Sequence, residues 1–205
     1  TEDLLLEIYH QYHGKNSEVI SNIEFANRRL KNRALSLLST IHESTQEQAD
    51  VRHQKIILAQ FESAKNMTDY QAAFGILIDL DIPERNSAIE SFFNKWKHDS
   101  LVLNKWFAIQ AQSAHSDTFE RVKKLMNHPD FNIKNPNRVY SLLRSFGGNF
   151  AQFHQMKNNP YDFYADQVIK IDKLNPQVAA RLAGNFDIWT QLDTDLKEKA
   201  HFALK

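Results

Sequence analysis

Along the 205 residues, apolar positions recur at intervals of three and four nearly everywhere, and no stretch keeps the strict alternation of a half-buried strand. Ala88, Ile89, Phe92, Phe93 and Trp96 make one stripe. Val102, Leu103, Trp106, Phe107 and Ile109 make a second, and Val139, Leu142, Leu143 and Phe146 a third. Each stripe has the width of a helix face that needs a partner helix, so the pattern predicts an all-α fold. The prolines Pro83, Pro129, Pro136, Pro160 and Pro176 all fall between stripes, where a fixed φ and a missing N–H suit a helix start. Capping-box spacings at Ser44 to Glu47, Asp117 to Glu120 and Asp195 to Glu198 mark further starts. The punctuation yields about ten helices of ordinary length joined by short turns.

Heptads long enough for a coiled coil are absent. A succession of antiparallel helix pairs of this length stacks into a curved array of the armadillo or HEAT kind, with a concave face. That superhelix, as a single domain over residues 1–205, is the expected architecture. Gly75, inside the apolar run from Ala72 to Leu80, costs about 1 kcal/mol in a helix relative to Ala and is expected to mark a close helix contact.

Composition narrows the function more than the fold. Lys+Arg and Asp+Glu balance at 25 each, which disfavours a general nucleic-acid binder. The absence of Cys excludes disulfides, thiolate metal sites and a cysteine nucleophile, and agrees with a cytoplasmic location. No run is long enough to span a membrane, and Thr1-Glu2-Asp3 lacks the profile of a signal peptide. The chain does not begin with Met, and its last apolar positions are still in helical period at Lys205. It reads as a piece of a longer protein.

Few residues suggest chemistry. None of the nine histidines belongs to an H-E-x-x-H motif, and no glycine-rich phosphate loop is present. His10 and His13 have a spacing that suits two ligands of one metal but lack a third, so they read as an exposed surface pair. Asp79, Asp81 and Glu84 sit near a turn and read as capping or solvated groups. The basic run Arg28, Arg29, Lys31 and Arg33 reads as a solvated face or a domain contact. Trp96 and Trp106 lie on apolar stripes and are expected in the core, whereas Trp189 has polar surroundings.

Two Asn-Pro steps stand out. Asn135-Pro136-Asn137-Arg138 and Asn175-Pro176-Gln177-Val178-Ala179-Ala180-Arg181 each combine an N-cap residue, a proline for the first helical position and an arginine. Both are expected to present free backbone N–H groups and a positive dipole end near a cation, which suits a carboxylate. Two accounts of the arginines stay open. One is a structural ion pair beside a capped helix start; the other is peptide-carboxylate recognition through bidentate hydrogen bonds.

With Ala64-Lys65-Asn66-Met67-Thr68-Asp69 and Leu103-Asn104-Lys105-Trp106-Phe107, these two steps form four ordered blocks. Together they resemble the C-terminal domain of bacterial aminopeptidase N, the alanyl aminopeptidase branch of the gluzincin zinc peptidases. The resemblance runs from about Leu4 to near the end of the chain. It implies a non-catalytic helical domain that closes over the catalytic domain of the same polypeptide and restricts access to small peptides and unfolded N-terminal segments. Zinc, its H-E-x-x-H ligands and the general-base glutamate would belong to the full-length enzyme, so neither a catalytic residue nor a metal ligand is expected in this chain.

The resemblance also implies substrate contacts from the inner face of the domain. Arg181 matches one such arginine within its motif, with Arg138, Asn137 and Tyr140 as further candidates. The family pattern carries another arginine two positions after that of the Asn-Pro-Asn-Arg block, where this chain has Tyr140. The match stops short of the family's last helix, which is expected to leave an apolar edge at Phe202 and Leu204. Partners are then the catalytic domain and peptide substrates, with no nucleic acid or membrane. A free-standing helical scaffold that binds a protein partner is the alternative.

Overall fold

In the computed structural model, residues 2–15, 18–41 and 47–205 are described, and over them the chain is helical without a strand. The helices are α1 (Glu2–Tyr12), α2 (Asn22–Leu38), α3 (Glu47–Ser63), α4 (Met67–Asp79), α5 (Glu84–Trp96), α6 (Ser100–Ala111) and α7 (Thr118–Met126). A segmented run follows: α8 (Pro136–Val139), a π turn (Tyr140–Arg144), α9 (Ser145–Gly147) and α10 (Phe150–Phe153). Then come α11 (Pro160–Asp172), α12 (Pro176–Ala183), two 3-10 turns (Gly184–Phe186 and Trp189–Gln191) and α13 (Thr194–Ala203). Among the described residues, ten helices have eight residues or more, in line with the reading from periodicity.

Pro136, Pro160 and Pro176 open α8, α11 and α12, as a residue with no N–H to lose should. The expected capping boxes fare differently. Ser44 lies outside the described residues. Asp117 makes no cap bond; its carboxylate instead takes a hydrogen bond from Arg121 Nη2 at 2.8 Å and lies 2.9 Å from His115 Nδ1. Helix α13 starts at Thr194, so Asp195 sits inside the first turn, where it favours the dipole without capping.

Two compact units divide the chain, Thr1–Ile89 and Glu90–Lys205. Contacts in a repeat array run mainly between sequence neighbours, so local units are natural to it. In the first unit α1 packs on α2, α3 on α4 and α2 on α4. Late-α3 Phe61 stacks on early-α4 Tyr70 at 4.7 Å, which makes α3 and α4 an antiparallel hairpin. Leu35, Leu38, Ile57, Phe74 and Leu77 are fully buried there.

A polar network runs through that core. Lys31 Nζ lies 2.7 Å from the Asp69 carboxylate, and both side chains are buried. Asn32 and Asn66 each donate to the same carboxylate at 2.9 Å, while Gln60 donates to Asn32 Oδ1 at 2.9 Å and to the Asp69 carbonyl at 3.1 Å. Asn66 also caps α4 by accepting from Asp69 N at 2.9 Å. The Ala64 to Asp69 block is therefore structural here. The network corrects the reading of the basic run as a solvated face: Arg28 and Lys31 are buried, Arg28 donates to the Val19 carbonyl, and only Arg29 and Arg33 are exposed. His13 is likewise half-buried, stacked on Tyr9 at 4.9 Å, with its pKa pushed down by burial and by Lys31. His10 alone of that pair is exposed.

The second unit is built on aromatic rings. Phe153 meets Phe146, Tyr161, Tyr164 and Phe186 at centroid distances between 5.0 and 5.7 Å. The stripes from α6 and from residues 139–146 supply its buried residues Phe107, Val139, Leu142, Leu143 and Phe146. Trp106 is in the core; Trp96 is half-buried. Trp189 stacks on His201 at 5.4 Å. Asn149 Nδ2 donates to the carbonyls of Ala111 at 3.1 Å and Ser113 at 2.7 Å, which ties the α6–α7 connection to the start of α10. Phe202 and Leu204 are exposed.

Burial raises the Asp69 pKa, but the hydrogen bonds from Lys31, Asn66 and Asn32 and the charge of Lys31 outweigh it, so its value falls below the ordinary one. A depressed carboxylate pKa stabilises the fold above the unfolded-state value of about 3.9 and loses that contribution as pH falls through the lowered value. Asp69→Asn leaves the Lys31 charge buried and unpaired, and is expected to cost about 3–5 kcal/mol. Urea unfolding of the chain at pH 7 and at progressively lower pH measures both; equal midpoints for wild type and variant at pH 7 would refute the network's role.

Candidate functional site

Both Asn-Pro steps fold as helix starts, and each asparagine is consumed by the task. Asn135 Oδ1 accepts from Asn137 N at 3.0 Å and from Arg138 N at 3.3 Å. Asn175 Oδ1 accepts from Val178 N at 3.2 Å. At Asn135 these bonds correct the expectation of free N–H groups, because the cap occupies both Asn137 N and Arg138 N, whereas at Asn175 the cap occupies Val178 N alone. The two steps nevertheless come together. Pro136, Asn175 and Val178, with Ile133, Ile171 and Leu174, line a pocket of about 200 Å³ whose character is mainly apolar.

The arginines of the two steps part company. Arg138 is 6% exposed, and its Cζ lies 5.0 Å from the centroid of the Phe107 ring. Its Nη1 has no hydrogen-bond partner among the described residues. Burial pulls its pKa down, partly offset by Asp130, yet an arginine stays protonated under such conditions. The negative face of the Phe107 ring and the charge of Asp130 both offset the burial of this cation.

Arg181 is exposed on α12, and its Cζ stands 5.9 Å from the centroid of the Tyr140 ring. Tyr140, half-buried, opens the π turn. Asn137 is exposed at the start of α8, where its carbonyl accepts from Ser141 Oγ at 2.7 Å. Of the four sequence candidates, the structure thus brings Arg181 and Tyr140 together and places Arg138 against Phe107.

One neighbour escaped the sequence reading. Arg144, also exposed, has its Cζ 6.0 Å from the same Tyr140 ring. The i, i+4 spacing of Tyr140 and Arg144 is the available signal, weaker than the apolar stripe through Leu142, Leu143 and Phe146. A π turn inserts one residue into the helical register and is often found at functional positions. Here its mark is the Ser145 backbone N–H, which donates to the Tyr140 carbonyl five residues back.

No group of three or more His, Cys, Asp or Glu side chains is arranged to hold a metal among the described residues. Among the same residues no helix is long and apolar enough to cross a membrane.

Helices joined by short turns, with no strand among the described residues, suit an armadillo-type repeat domain. The sequence profile of a family described as "Domain of unknown function (DUF3458_C) ARM repeats" matches residues 1–205, and the chain belongs to that family. Its relatives include aminopeptidase N of Caulobacter vibrioides, 34% identical over 197 residues that make up 93% of this chain and 22% of the relative. Aminopeptidase N of Escherichia coli is 33% identical over 99% of this chain and 22% of its own length. A crystal structure of Legionella pneumophila aminopeptidase A in complex with aspartic acid superposes with a TM-score of 0.84 and 33% identity, over 98% of this chain and 23% of that one. The chain thus spans less than a quarter of the proteins it matches, and its likeness to aminopeptidase N extends over nearly all of it.

The contrast between the arginines gives a stability test. Arg138→Ala removes a buried stem and its contact with Phe107, and is expected to cost about 1–2 kcal/mol. Arg181→Ala, at an exposed position, is expected to stay within about 0.5 kcal/mol of wild type. Denaturant midpoints of the two variants, compared with wild type, check this; equal losses would mean that Arg181 is as structural as Arg138.

Proposed function

We propose that this chain is the non-catalytic C-terminal domain of a zinc-dependent aminopeptidase N, a cytoplasmic enzyme that releases N-terminal amino acids from peptides. The observation that carries the reading is identity of 33–34% to aminopeptidase N over 93–99% of the chain, within proteins several times longer. In this reading the domain covers the catalytic domain of the same polypeptide and limits which peptides reach it. Zinc and the groups that activate water lie outside the chain. This domain's own residues select and orient.

The orienting contact proposed is the exposed Arg181 beside Tyr140. A guanidinium offers a planar fork that matches a carboxylate, and an exposed one can exchange water for the anion at little desolvation cost. Arg138 serves instead to fix the Asn135–Arg138 start against Phe107, since a buried cation is poorly placed to meet a substrate. Asn137, exposed at the same start, and the Tyr140 hydroxyl supply neutral polar contacts to peptide.

Two outcomes are expected. The purified 205-residue chain should release no alanine from an alanine anilide with zinc supplied; zinc-dependent release would overturn the division of labour. In the full-length enzyme, Arg181→Ala should lower kcat/KM for a free-acid peptide about tenfold more than for the anilide, which has no carboxylate to recognise. Equal losses on both substrates would assign Arg181 a structural role.

A further inference from the structure

The joint between α1 and α2 closes over a histidine that has no place for a second proton. His13 follows the last residue of α1, and its N–H donates to the Tyr9 carbonyl at 2.9 Å. Its ring lies on the Tyr9 ring at 4.9 Å with the planes 26° apart, and Tyr9 is itself 2% exposed. The imidazole is half-buried, and its Nδ1 is enclosed without a hydrogen-bond partner among the described residues. With its proton on Nε2, the neutral ring leaves only a lone pair at Nδ1. A second proton would put an N–H donor and a positive charge on an atom shielded from solvent and without an acceptor.

The surrounding charges do not relieve that cost. Among the described residues, those acting on His13 are Lys31 from α2, Asp69 from α4 and His10 on α1 itself. Burial opposes the imidazolium most, Lys31 next, and His10 adds to both. Asp69 favours it, but that carboxylate is already engaged by Lys31 at 2.7 Å and by Asn32 and Asn66 at 2.9 Å. Tyr9, the partner in the stack, is kept a neutral phenol by its burial and by Asp69, so it supplies no countercharge. At the opposite end of α1, Glu2 Oε1 lies 2.9 Å from Nε2 of the buried His53 on α3. That end is tied down separately, so a disturbance at His13 acts on the last turn of the helix.

From this geometry we infer that His13 is an acid-sensitive latch: as a neutral ring stacked on Tyr9 it closes the α1–α2 joint, and as a cation it leaves, releasing the last turn of α1 from α2. The direction follows from linkage. The open state takes the second proton more readily than the closed state, so opening is favoured as pH falls below the open-state value of about 6.5 and is suppressed above it. Asp69 stays ionised over that interval, because its own pKa lies below the ordinary carboxylate value. The Lys31–Asp69 pair is therefore intact when the latch opens, and acid unfolding through Asp69 is a separate event at lower pH.

Amide hydrogen exchange of the 205-residue chain at about pH 7.5 and about pH 5.5, corrected for the intrinsic rate at each pH, tests the latch. Protection over residues 9–13 is expected to fall by up to about tenfold between the two, the factor that an open-state value of about 6.5 allows over this interval. Protection of α4 is expected to hold. His13→Phe keeps an aromatic stack and has no proton to gain, so it should lose no protection, whereas His10→Gln, at the exposed neighbour, should behave as wild type. Where His13→Phe folds poorly, wild type decides alone: the His13 imidazole resonances and the amide resonances of the last turn of α1 are expected to titrate with one midpoint. Constant protection in wild type, a loss spread equally over α4, an equal loss in a folded His13→Phe, a loss abolished by His10→Gln, or separate midpoints overturns the inference.

Discussion

Helix starts make the heaviest local demand on this chain. A fold made of many short helices multiplies helix ends, and every start leaves backbone N–H groups without an intrahelical acceptor. Asparagine answers that demand repeatedly: Asn66, Asn135, Asn149 and Asn175 each accept from a first-turn N–H of the helix they open. The same side chains do further work with their amide nitrogens, Asn66 on the Asp69 carboxylate and Asn149 on the carbonyls of the α6–α7 connection. Caps of this kind occupy first-turn donors that an outside anion would otherwise meet.

Side-chain cations are handled in two ways, by burial against an internal partner or by exposure to water. Lys31 and Arg138 are both buried. Lys31 is neutralised at contact distance by Asp69 within a network of amides, whereas Arg138 rests on the face of Phe107. Removing either cation from water costs several kcal/mol before compensation, so each is committed to its internal partner. Arg144 and Arg181 lose little hydration and retain their full hydrogen-bonding capacity. Exposure, rather than membership of a motif, is what qualifies a cation to meet a ligand.

The sequence carried the fold well because helical periodicity is local. The stripe Val139, Leu142, Leu143 and Phe146 is fully buried as its spacing predicts, and proline placed three helix starts to the residue. What it could not carry is anything settled by a distant partner. Lys31 looked solvated because Asp69, which buries it, lies far along the chain on another helix. Asp117 looked like a cap because nothing in a capping-box spacing reveals that His115 and Arg121 compete for its carboxylate. The capped starts at Asn135 and Asn175 were legible, yet their meaning was inverted: the better the cap, the fewer N–H groups remain for a ligand.

The π turn explains why half of the candidate site stayed hidden. Apolar spacing across residues 139–146 fits an ordinary helix, so the extra residue in the register leaves no trace in the pattern. Its effect is on the polar side, where Tyr140 and Arg144 bracket the turn and Arg181 meets them from α12. That meeting depends in turn on Gly147, whose missing side chain lets Asn185 approach the same segment. A glycine, an asparagine and a register shift therefore help set the backbone around two exposed arginines.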